Sequence, residues 1–207
     1  MVDITSFIIS LVIAYLLGSI PSGYWFGKYI KGIDLRKEGS GNVGATNALR
    51  VLGKPLGTLT LIADIAKGWF AVDIARRFLG IHDVYLVVVG LAAVCGHIFT
   101  IFLNFKGGKG VATTFGIFLA FTPLATMGAM LIWAICFFVT GYASVGSIVS
   151  AVLFPILIFL LSTNKIYLIL GIVLGIFIIV RHISNIKRLI AGTENKFSFS
   201  SKGKPKT

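Results

Sequence analysis

Residues 39–50 combine the backbone and side chains that an anion-binding loop needs. The segment reads Gly-Ser-Gly-Asn-Val-Gly-Ala-Thr-Asn-Ala-Leu-Arg and holds three glycines, four small polar residues and one arginine. Glycines allow successive backbone N–H groups to converge on an anion, and the planar guanidinium of Arg50 matches the oxygens of a phosphate. Composition alone fits a solvated loop between two helices equally well, so the rest of the chain has to decide.

A second glycine-rich cationic segment occupies residues 104–114 and reads Asn-Phe-Lys-Gly-Gly-Lys-Gly-Val-Ala-Thr-Thr. Lys106 and Lys109 flank Gly107 and Gly108 in it. Its final residues weakly echo the first segment, although the echo is too short to establish an internal repeat. The similarity suggests two related anion-binding turns.

A third polar stretch, residues 181–188, follows the last apolar run and is expected to continue its helix. His182 and Asn185 are three positions apart, so they share one helical face. A basic helix beside a membrane normally binds anionic headgroups, and this role suits Lys187 and Arg188. It suits His182 and Asn185 less well, which makes these two candidate site residues.

The composition of the chain indicates an integral membrane protein. Hydrophobic residues make up 57% of its 207 residues, the mean hydropathy is +0.95, and there are 17 phenylalanines. The net charge of +12 is concentrated in basic segments beside the apolar runs, so we expect membrane lipids as neighbours and no nucleic acid partner. We predict one transmembrane domain over residues 1–197 and a disordered basic tail over residues 198–207.

The apolar runs predict an all-α integral membrane protein with seven transmembrane helices. Their approximate bounds are 4–26, 56–79, 84–102, two spans within 110–140 that break near Thr122 and Pro123, 144–161 and 166–180. A single helix over residues 110–140 would be half as long again as a bilayer core of about 30 Å. Seven spans also place all three basic segments on the cytoplasmic side, with the N-terminus outside and the C-terminus in the cytoplasm.

Two features within the apolar runs are predicted to be structural. The segment from Gly18 to Gly23 contains Pro21 and is expected to kink the first span. Asp64 and Lys67 are three positions apart on one helical face, and we expect an ion pair that faces the bundle. Orientation of the neighbouring loop is the functional alternative for this pair.

Several classes of enzyme fit the sequence poorly. Few acidic residues are expected near the site, and Asp34, Glu38 and Glu194 lack metal-ligand spacing, so we expect anions to bind directly, without a metal or other cofactor. Residues 39–46 differ from a P-loop by having Ala45 in place of the lysine, which argues against an NTPase. The chain has no Gly-x-Ser-x-Gly motif and no His-x4-Asp pair, which argues against a serine hydrolase and the common glycerolipid acyltransferases.

Three ordered motifs make the chain similar to the bacterial acyl-phosphate:glycerol-3-phosphate acyltransferases. They are residues 39–47, Gly96-His97-Ile98-Phe99 leading to residues 105–113, and Arg181-His182-x-x-Asn185-Ile186-x-Arg188-Leu189-x-x-Gly192-x-Glu194. The pattern Asp64-x-x-Lys67-Gly68, the length and the hydropathy agree as well, so the resemblance covers nearly all of the chain except the tail.

The resemblance implies an acyl transfer at the cytoplasmic face of the bacterial inner membrane. An acyl phosphate would acylate the 1-hydroxyl of sn-glycerol 3-phosphate and give lysophosphatidic acid and phosphate, the first acylation of phospholipid synthesis. Acyl phosphate is already activated, so the protein mainly has to position two anions and stabilise the developing charge. We expect it to work as a monomer.

The resemblance also suggests a division of the site between the two substrates. The acyl-phosphate headgroup is assigned to Ser40, Gly41, Asn42, Gly44, Thr46 and Asn47, with His182 and Asn185. Glycerol 3-phosphate is assigned to Arg50 and Lys109, with Lys106 and Ser147, and Gly107, Gly108 and Ser144 complete the substrate-binding set. The catalytic set is Ser40, Arg50, Lys109, His182 and Asn185.

The proton of the acceptor hydroxyl can pass to His182 or to the substrate phosphate. The absence of an acidic partner for His182 within its own motif favours the phosphate.

Two alternative functions are compatible with the residues alone. A transporter for organic phosphates would also use cationic turns, although its site is expected at the membrane midplane and between inverted repeats. An acyltransferase that uses acyl-CoA or acyl carrier protein differs only in its donor.

Overall fold

Residues 3–197 are described by a computed structural model, and within this range the chain consists of helices and their connections, with no strand. The predicted tail over residues 198–207 lies outside the described residues. The helices are α1 (Ile4–Ser19), α2 (Ser22–Trp25), α3 (Ala45–Leu52), α4 (Lys54–Leu79), α5 (Asp83–Ile98), α6 (Val111–Phe121), α7 (Pro123–Thr140), α8 (Ala143–Leu161), α9 (Lys165–Arg181) and α10 (Ile183–Ile190). A π-helical turn (Phe26–Ile30) follows α2, and a 3-10 turn (Ile101–Leu103) follows α5.

The long helices match the predicted apolar runs. They differ in whether each is long and apolar enough to cross a membrane alone. Within the described range, three segments are long and apolar enough to cross a membrane alone: Asp83–Leu103, α7 and α8. The bent pairs of α1 with α2 and of α9 with α10 raise the number to five. A total of seven requires α4, which carries several charged residues, and α6, which has only 11 residues, to cross as well.

The predicted kink in the first span is confirmed, because the chain bends by 43° between α1 and the helical segment that follows Pro21. A break in a helix leaves backbone carbonyls without their helical donors, and these need other partners in an apolar surrounding. The Thr100 hydroxyl donates a hydrogen bond to the carbonyl of Ser19 at 2.5 Å, and the Lys67 ammonium donates one to the carbonyl of Ile20 at 2.8 Å. The broken helix is therefore fastened to α4 and to the end of α5.

The predicted ion pair between Asp64 and Lys67 is confirmed. The Lys67 ammonium lies 2.8 Å from the Asp64 carboxylate, and both side chains are almost fully buried in the bundle. Removing either partner would leave an uncompensated buried charge, so the pair stabilises α4 in its present position. The His97 ring lies 4.0 Å from the same carboxylate and links this pair to α5.

The break near Thr122 and Pro123 is also confirmed, because α6 ends at Phe121 and α7 begins at Pro123. The expected continuation of the last helix through residue 188 is wrong. The chain leaves helical geometry at His182 and bends by 53° between α9 and α10. The bend turns α10 against the bundle, which buries Asn185 on the side that faces the other polar segments.

Close helix contacts depend on glycine. A Cβ atom on Gly68 of α4 would lie 2.2 Å from the carbonyl oxygen of Thr113, and one on Gly116 of α6 would lie 1.9 Å from that of Ile65. Small residues let helix backbones approach to van der Waals contact, which is the main source of association in an apolar surrounding. This contact fixes the start of α6, and with it the turn that carries Lys109.

Candidate active site

A cavity of about 320 Å³ lies where α3, α4, α6, α7, α8 and the region around α10 meet. One end is polar and the other is apolar. Predicted site residues on its wall are Ser40, Asn42, Gly44, Thr46, Asn47, Arg50, Lys109, Ser144, Ser147, His182 and Asn185. The apolar end is formed by Leu61, Ile65, Phe115, Met130, Trp133 and Ala134. The fold thus brings the three polar segments of the sequence to one place.

Four predicted residues lie off this wall. Gly41 and Gly107 border a neighbouring cleft, which also contacts Ser40, Asn42, Lys109, Arg181, Ser184 and Arg188. Lys106 is exposed and Gly108 is buried, and neither lines the cavity or the cleft. The two lysines of the second turn therefore differ, since only Lys109 faces the cavity.

The first loop does not form the expected nest of free N–H groups. The N–H of Ser40 donates to the Asn47 side chain at 2.9 Å, that of Gly41 to the carbonyl of Glu38 at 3.0 Å, and that of Gly44 to the Asn42 side chain at 2.8 Å. These three donors are used within the loop, so the prediction that they converge on a ligand is wrong.

Asn47 holds this loop in shape. Its side chain is buried, and the amide nitrogen donates to the carbonyls of Leu35, Glu38 and Asn42 at 2.9 to 3.2 Å. All of its polar atoms thus have partners in the loop, which leaves no free donor for the predicted contact with a substrate. Buried amides of this kind fix backbone geometry because leaving them unpaired is costly.

Three helices begin at the cavity and supply positive charge in place of the expected nest. These are α3, α6 and α8, which follow Gly44, Gly110 and Tyr142, and no side chain caps any of the three. Residues from each first turn line the cavity. An uncapped helix N-terminus has free N–H groups and about half a positive charge, so it favours an anion.

The second turn, which carries Lys109, is fixed by backbone hydrogen bonds to the end of α5. Gly107 and Gly108 donate their N–H groups to the carbonyls of Ile98 and His97 at 2.9 and 3.0 Å. A Cβ atom on Gly107 would lie 2.0 Å from the carbonyl oxygen of His97, so only glycine permits this approach. These two glycines therefore have a role in backbone packing, and their role in substrate binding stays a prediction.

A chain of polar contacts connects Lys109 to Glu194. The Lys109 ammonium donates to the Asn185 side-chain oxygen, and the Asn185 amide donates to Glu194 at 2.6 Å. Glu194 also accepts from the hydroxyl of Ser144 at 2.9 Å and from the guanidinium of Arg188 at 2.7 Å. This carboxylate joins the start of α8 to α10 and, through Asn185, to the Lys109 turn.

Glu194 was missed as a site residue by the sequence analysis. Its position within the third motif, at Gly192-x-Glu194, is the signal in the sequence that points to it, whereas its spacing from other acidic residues does not. Two acidic residues, Asp64 and Glu194, line the cavity among the described residues, and Asp64 was not expected there. Within residues 3–197 no group of three or more His, Cys, Asp or Glu side chains has a geometry suited to a metal ion.

The titration of the polar groups supports a cationic site at neutral pH. Burial, followed by the charge of Arg188, lowers the pKa of Lys109 to about 8, so most of it still carries its charge at pH 7. Burial would raise the pKa of Glu194, but hydrogen bonds from Asn185, Arg188 and Ser144 bring it below its ordinary value. Glu194 is therefore ionised and offsets part of the surrounding positive charge.

His182 lies between α9 and α10 and is neutral at physiological pH. Burial, followed by the charge of Lys109, lowers its pKa to about 4. Its Nδ1 atom lies 2.8 Å from the carbonyl oxygen of Ile178, which suits an Nδ1–H donor and leaves Nε2 as the acceptor. A group with this pKa is a weak base at pH 7.

Ser147 and Arg50 complete the polar end. The Ser147 hydroxyl donates to the carbonyl of Ala143 at 2.9 Å and accepts from the Trp133 indole at 3.2 Å. The Arg50 guanidinium is half-buried and donates to the carbonyl of Asn195 at 3.4 Å. Taken together, the cavity has the charge for a small anion at one end and the surface for an acyl chain at the other.

Comparison with known proteins gives a consistent set of relatives. The model of the family "Glycerol-3-phosphate acyltransferase" matches residues 8–192. A glycerol-3-phosphate acyltransferase of Trichlorobacter lovleyi is 50% identical over 184 residues, which cover 89% of this chain and 94% of the relative. The crystal structure of PlsY (YgiH), described as an integral membrane glycerol 3-phosphate acyltransferase in its glycerol 3-phosphate form, is similar with a TM-score of 0.88 and 41% identity over 93% of this chain and 96% of that one. Its lysophosphatidic acid form gives a TM-score of 0.86 and 40% identity over the same shares.

The position of Glu194 generates a stability prediction. Glu194→Gln removes the charge that offsets Lys109 and Arg188, so we expect the free energy of unfolding in detergent to fall by about 1–3 kcal/mol. Glu38→Gln is the matched control, because Glu38 is exposed, and it should change stability by less than about 0.5 kcal/mol. Equal stability of the two variants would show that Glu194 does not hold the site together.

Proposed function

The chain belongs to the glycerol-3-phosphate acyltransferase family, and from this premise we propose that it transfers an acyl group from acyl phosphate to the 1-hydroxyl of sn-glycerol 3-phosphate. The products are 1-acylglycerol 3-phosphate, that is lysophosphatidic acid, and inorganic phosphate. The observation that carries the proposal is the cavity itself, in which Arg50, Lys109 and three helix N-termini lie beside an apolar pocket. The solved relative is described with glycerol 3-phosphate and with lysophosphatidic acid, which supports this acceptor and this product.

Acyl phosphate as the donor is supported by the presence of two adjoining cationic spaces. Arg50 and Lys109 line the cavity, while Lys109, Arg181 and Arg188 line the neighbouring cleft. A reaction between two phosphate-bearing substrates needs a place for each phosphate and a cation between them to reduce their repulsion. Lys109 lies on both walls and fits that intermediate position.

We assign the two phosphates as the three sequence motifs suggest. Arg50 and Lys109 hold the phosphate of glycerol 3-phosphate, and Ser40 and Asn42 face the acyl-phosphate headgroup. Asn47, Gly107 and Gly108 act indirectly, because they fix the two loops that present these side chains. The acyl chain lies against the apolar end, near Phe115 and Trp133.

The reaction forms one bond to the acyl carbon and breaks another. The 1-hydroxyl oxygen attacks the carbonyl carbon of the mixed anhydride, the bond from that carbon to the phosphate oxygen breaks, and phosphate leaves. The hydroxyl proton passes to an oxygen of the leaving phosphate, because His182, with a pKa of about 4, is a weak base. Lys109 and the helix N-termini stabilise the negative charge on the carbonyl oxygen and on phosphate.

The arrangement in the membrane follows from the same proposal. The described chain has seven helices of more than ten residues, and we propose that each of them, α1 and α4 to α9, crosses the membrane. The N-terminus is then outside and the cavity opens to the cytoplasm, where glycerol 3-phosphate is found, in the inner membrane of a bacterium. One catalytic domain over residues 1–197, working as a monomer, is consistent with a family match that extends from residue 8 to residue 192.

The donor is tested with purified protein in detergent, where no compartments exist. We expect phosphate release that requires both acyl phosphate and glycerol 3-phosphate, and no acylation when acyl-CoA or acyl carrier protein replaces the donor. Acylation from a thioester would contradict the proposed donor. The absence of any two-substrate turnover would contradict an enzyme and favour a transporter.

The pKa of Lys109 generates a pH prediction. Because the Lys109 ammonium loses its proton as pH rises through about 8, kcat/KM for glycerol 3-phosphate should be highest between about pH 6.5 and 7.5 and should fall by up to about tenfold per pH unit above about 8. Substrate titration does not produce this fall, since a phosphate monoester has its second pKa near 6.

Lys109→Arg is the control for this pH profile. An arginine stays charged to above about pH 12, so the variant should lack the decline above pH 8 even if its absolute activity is lower. A wild-type profile that stays flat to pH 10 would contradict the lowered pKa of Lys109.

A further inference from the structure

Residues 193–197 form a segment, here called the C-terminal strap, that crosses the polar end of the cavity. At its start the N–H of Thr193 donates to the carbonyl of Arg188 at 2.8 Å, and at its end the N–H of Phe197 donates to the carbonyl of Gly141 at 2.9 Å. It thus joins α10 to the turn between α7 and α8. The family match ends at residue 192, so the strap lies beyond it.

The strap supplies the contacts that orient Arg50. The guanidinium carbon of Arg50 lies 4.8 Å from the centre of the Phe197 ring, within the range of a cation–π interaction, and one nitrogen donates to the carbonyl of Asn195. Among the described residues, no carboxylate lies within ion-pair distance of Arg50. Neither strap contact neutralises the charge of the guanidinium.

Phe197 is itself held in place from the other side. Its ring packs edge-on against Phe137 of α7, with the ring centres 5.2 Å apart. Next to it, the Lys196 ammonium lies 5.6 Å from the centre of the Tyr142 ring. The aromatic surface under Arg50 is therefore anchored to α7 and to the start of α8, the helix that carries Ser144.

An aromatic support has a specific advantage for a cation that binds a substrate anion. A carboxylate partner would compete with the substrate phosphate, and no partner at all would leave a long side chain to be ordered upon binding. The face of a ring restricts the plane of the guanidinium and leaves N–H groups free for phosphate oxygens. The backbone carbonyl oxygen of Asn195 restrains the Arg50 guanidinium as well, without adding a negative charge.

We propose that Phe197 is a positioning residue for glycerol 3-phosphate, which acts by holding Arg50 in the orientation that binds the acceptor phosphate. This inference rests on the proposed function, in which Arg50 contacts that phosphate. It predicts that loss of the ring weakens acceptor binding and leaves the donor half of the site unchanged. It also predicts that the effect requires the charge of Arg50.

The test uses full-length variants and the two-substrate assay. Phe197→Leu keeps apolar volume but removes the ring face, and it should raise KM for glycerol 3-phosphate by about 3- to 20-fold, with kcat and KM for acyl phosphate within twofold of wild type. Phe197→Tyr keeps the ring and should restore KM to within twofold. Phe159→Leu is the matched control, because Phe159 is 70% exposed on α8, and it should change none of these constants.

A double-mutant cycle links the effect to Arg50. In an Arg50→Gln background, Phe197→Leu should raise KM for glycerol 3-phosphate by less than a further twofold. Three results would each overturn the inference: an unchanged KM in Phe197→Leu alone, an equal increase of KM in both backgrounds, or a failure of Phe197→Tyr to restore KM. In each of these cases, two-substrate turnover by the wild-type protein would still support the proposed function. A wild-type protein without turnover on both substrates would overturn the proposed function, and this inference with it.

Discussion

The site depends on one interaction, the set of hydrogen bonds that the Glu194 carboxylate accepts from Ser144, Asn185 and Arg188. A site for two phosphates needs several positive groups close together, and these repel one another when no anion is bound. The Glu194 carboxylate lies at the wall of the cavity, where its negative charge reduces this repulsion. Because its partners come from α8 and α10, and Asn185 continues to Lys109, it also fixes the geometry of the cations.

The breaks in the helices position the polar groups of the site. The bend after α1 places carbonyls where Lys67 and Thr100 can bind them, and the bend at His182 turns α10 so that Asn185 faces the cavity. The second turn can lie flat on the end of α5 only because Gly107 has no side chain. Helix N-termini add to the positive charge of Arg50 and Lys109, and they are rigid and cannot lose their charge by deprotonation.

The sequence was sufficient for the seven long helices, most of their breaks and the pair of Asp64 and Lys67, because apolar runs, proline and an i,i+3 spacing depend on local interactions. It was not sufficient for α3, which lies within the segment that was predicted to be a loop. It was not sufficient for the direction of hydrogen bonds. An asparagine in a glycine-rich loop can face a ligand or bind its own loop, and only the fold shows that Asn47 does the latter. Glu194 was missed for a similar reason, since its partners are brought to it by α8 and α10. The bend at His182 was likewise not predicted, since it accompanies the burial of Asn185 against distant parts of the chain, which a local pattern does not encode.

The central claim is that the cavity, and not the general positive charge of the chain, binds the phosphate of glycerol 3-phosphate. The two lysines of the second turn test it directly, since Lys109 lines the cavity and Lys106 is exposed. The decisive measurement is the Kd of glycerol 3-phosphate for purified wild-type protein and for the variants Lys109→Met and Lys106→Met, by calorimetry in detergent. We predict that Lys109→Met raises Kd by at least about tenfold and that Lys106→Met changes it by less than about twofold. Equal effects of the two substitutions would contradict the account.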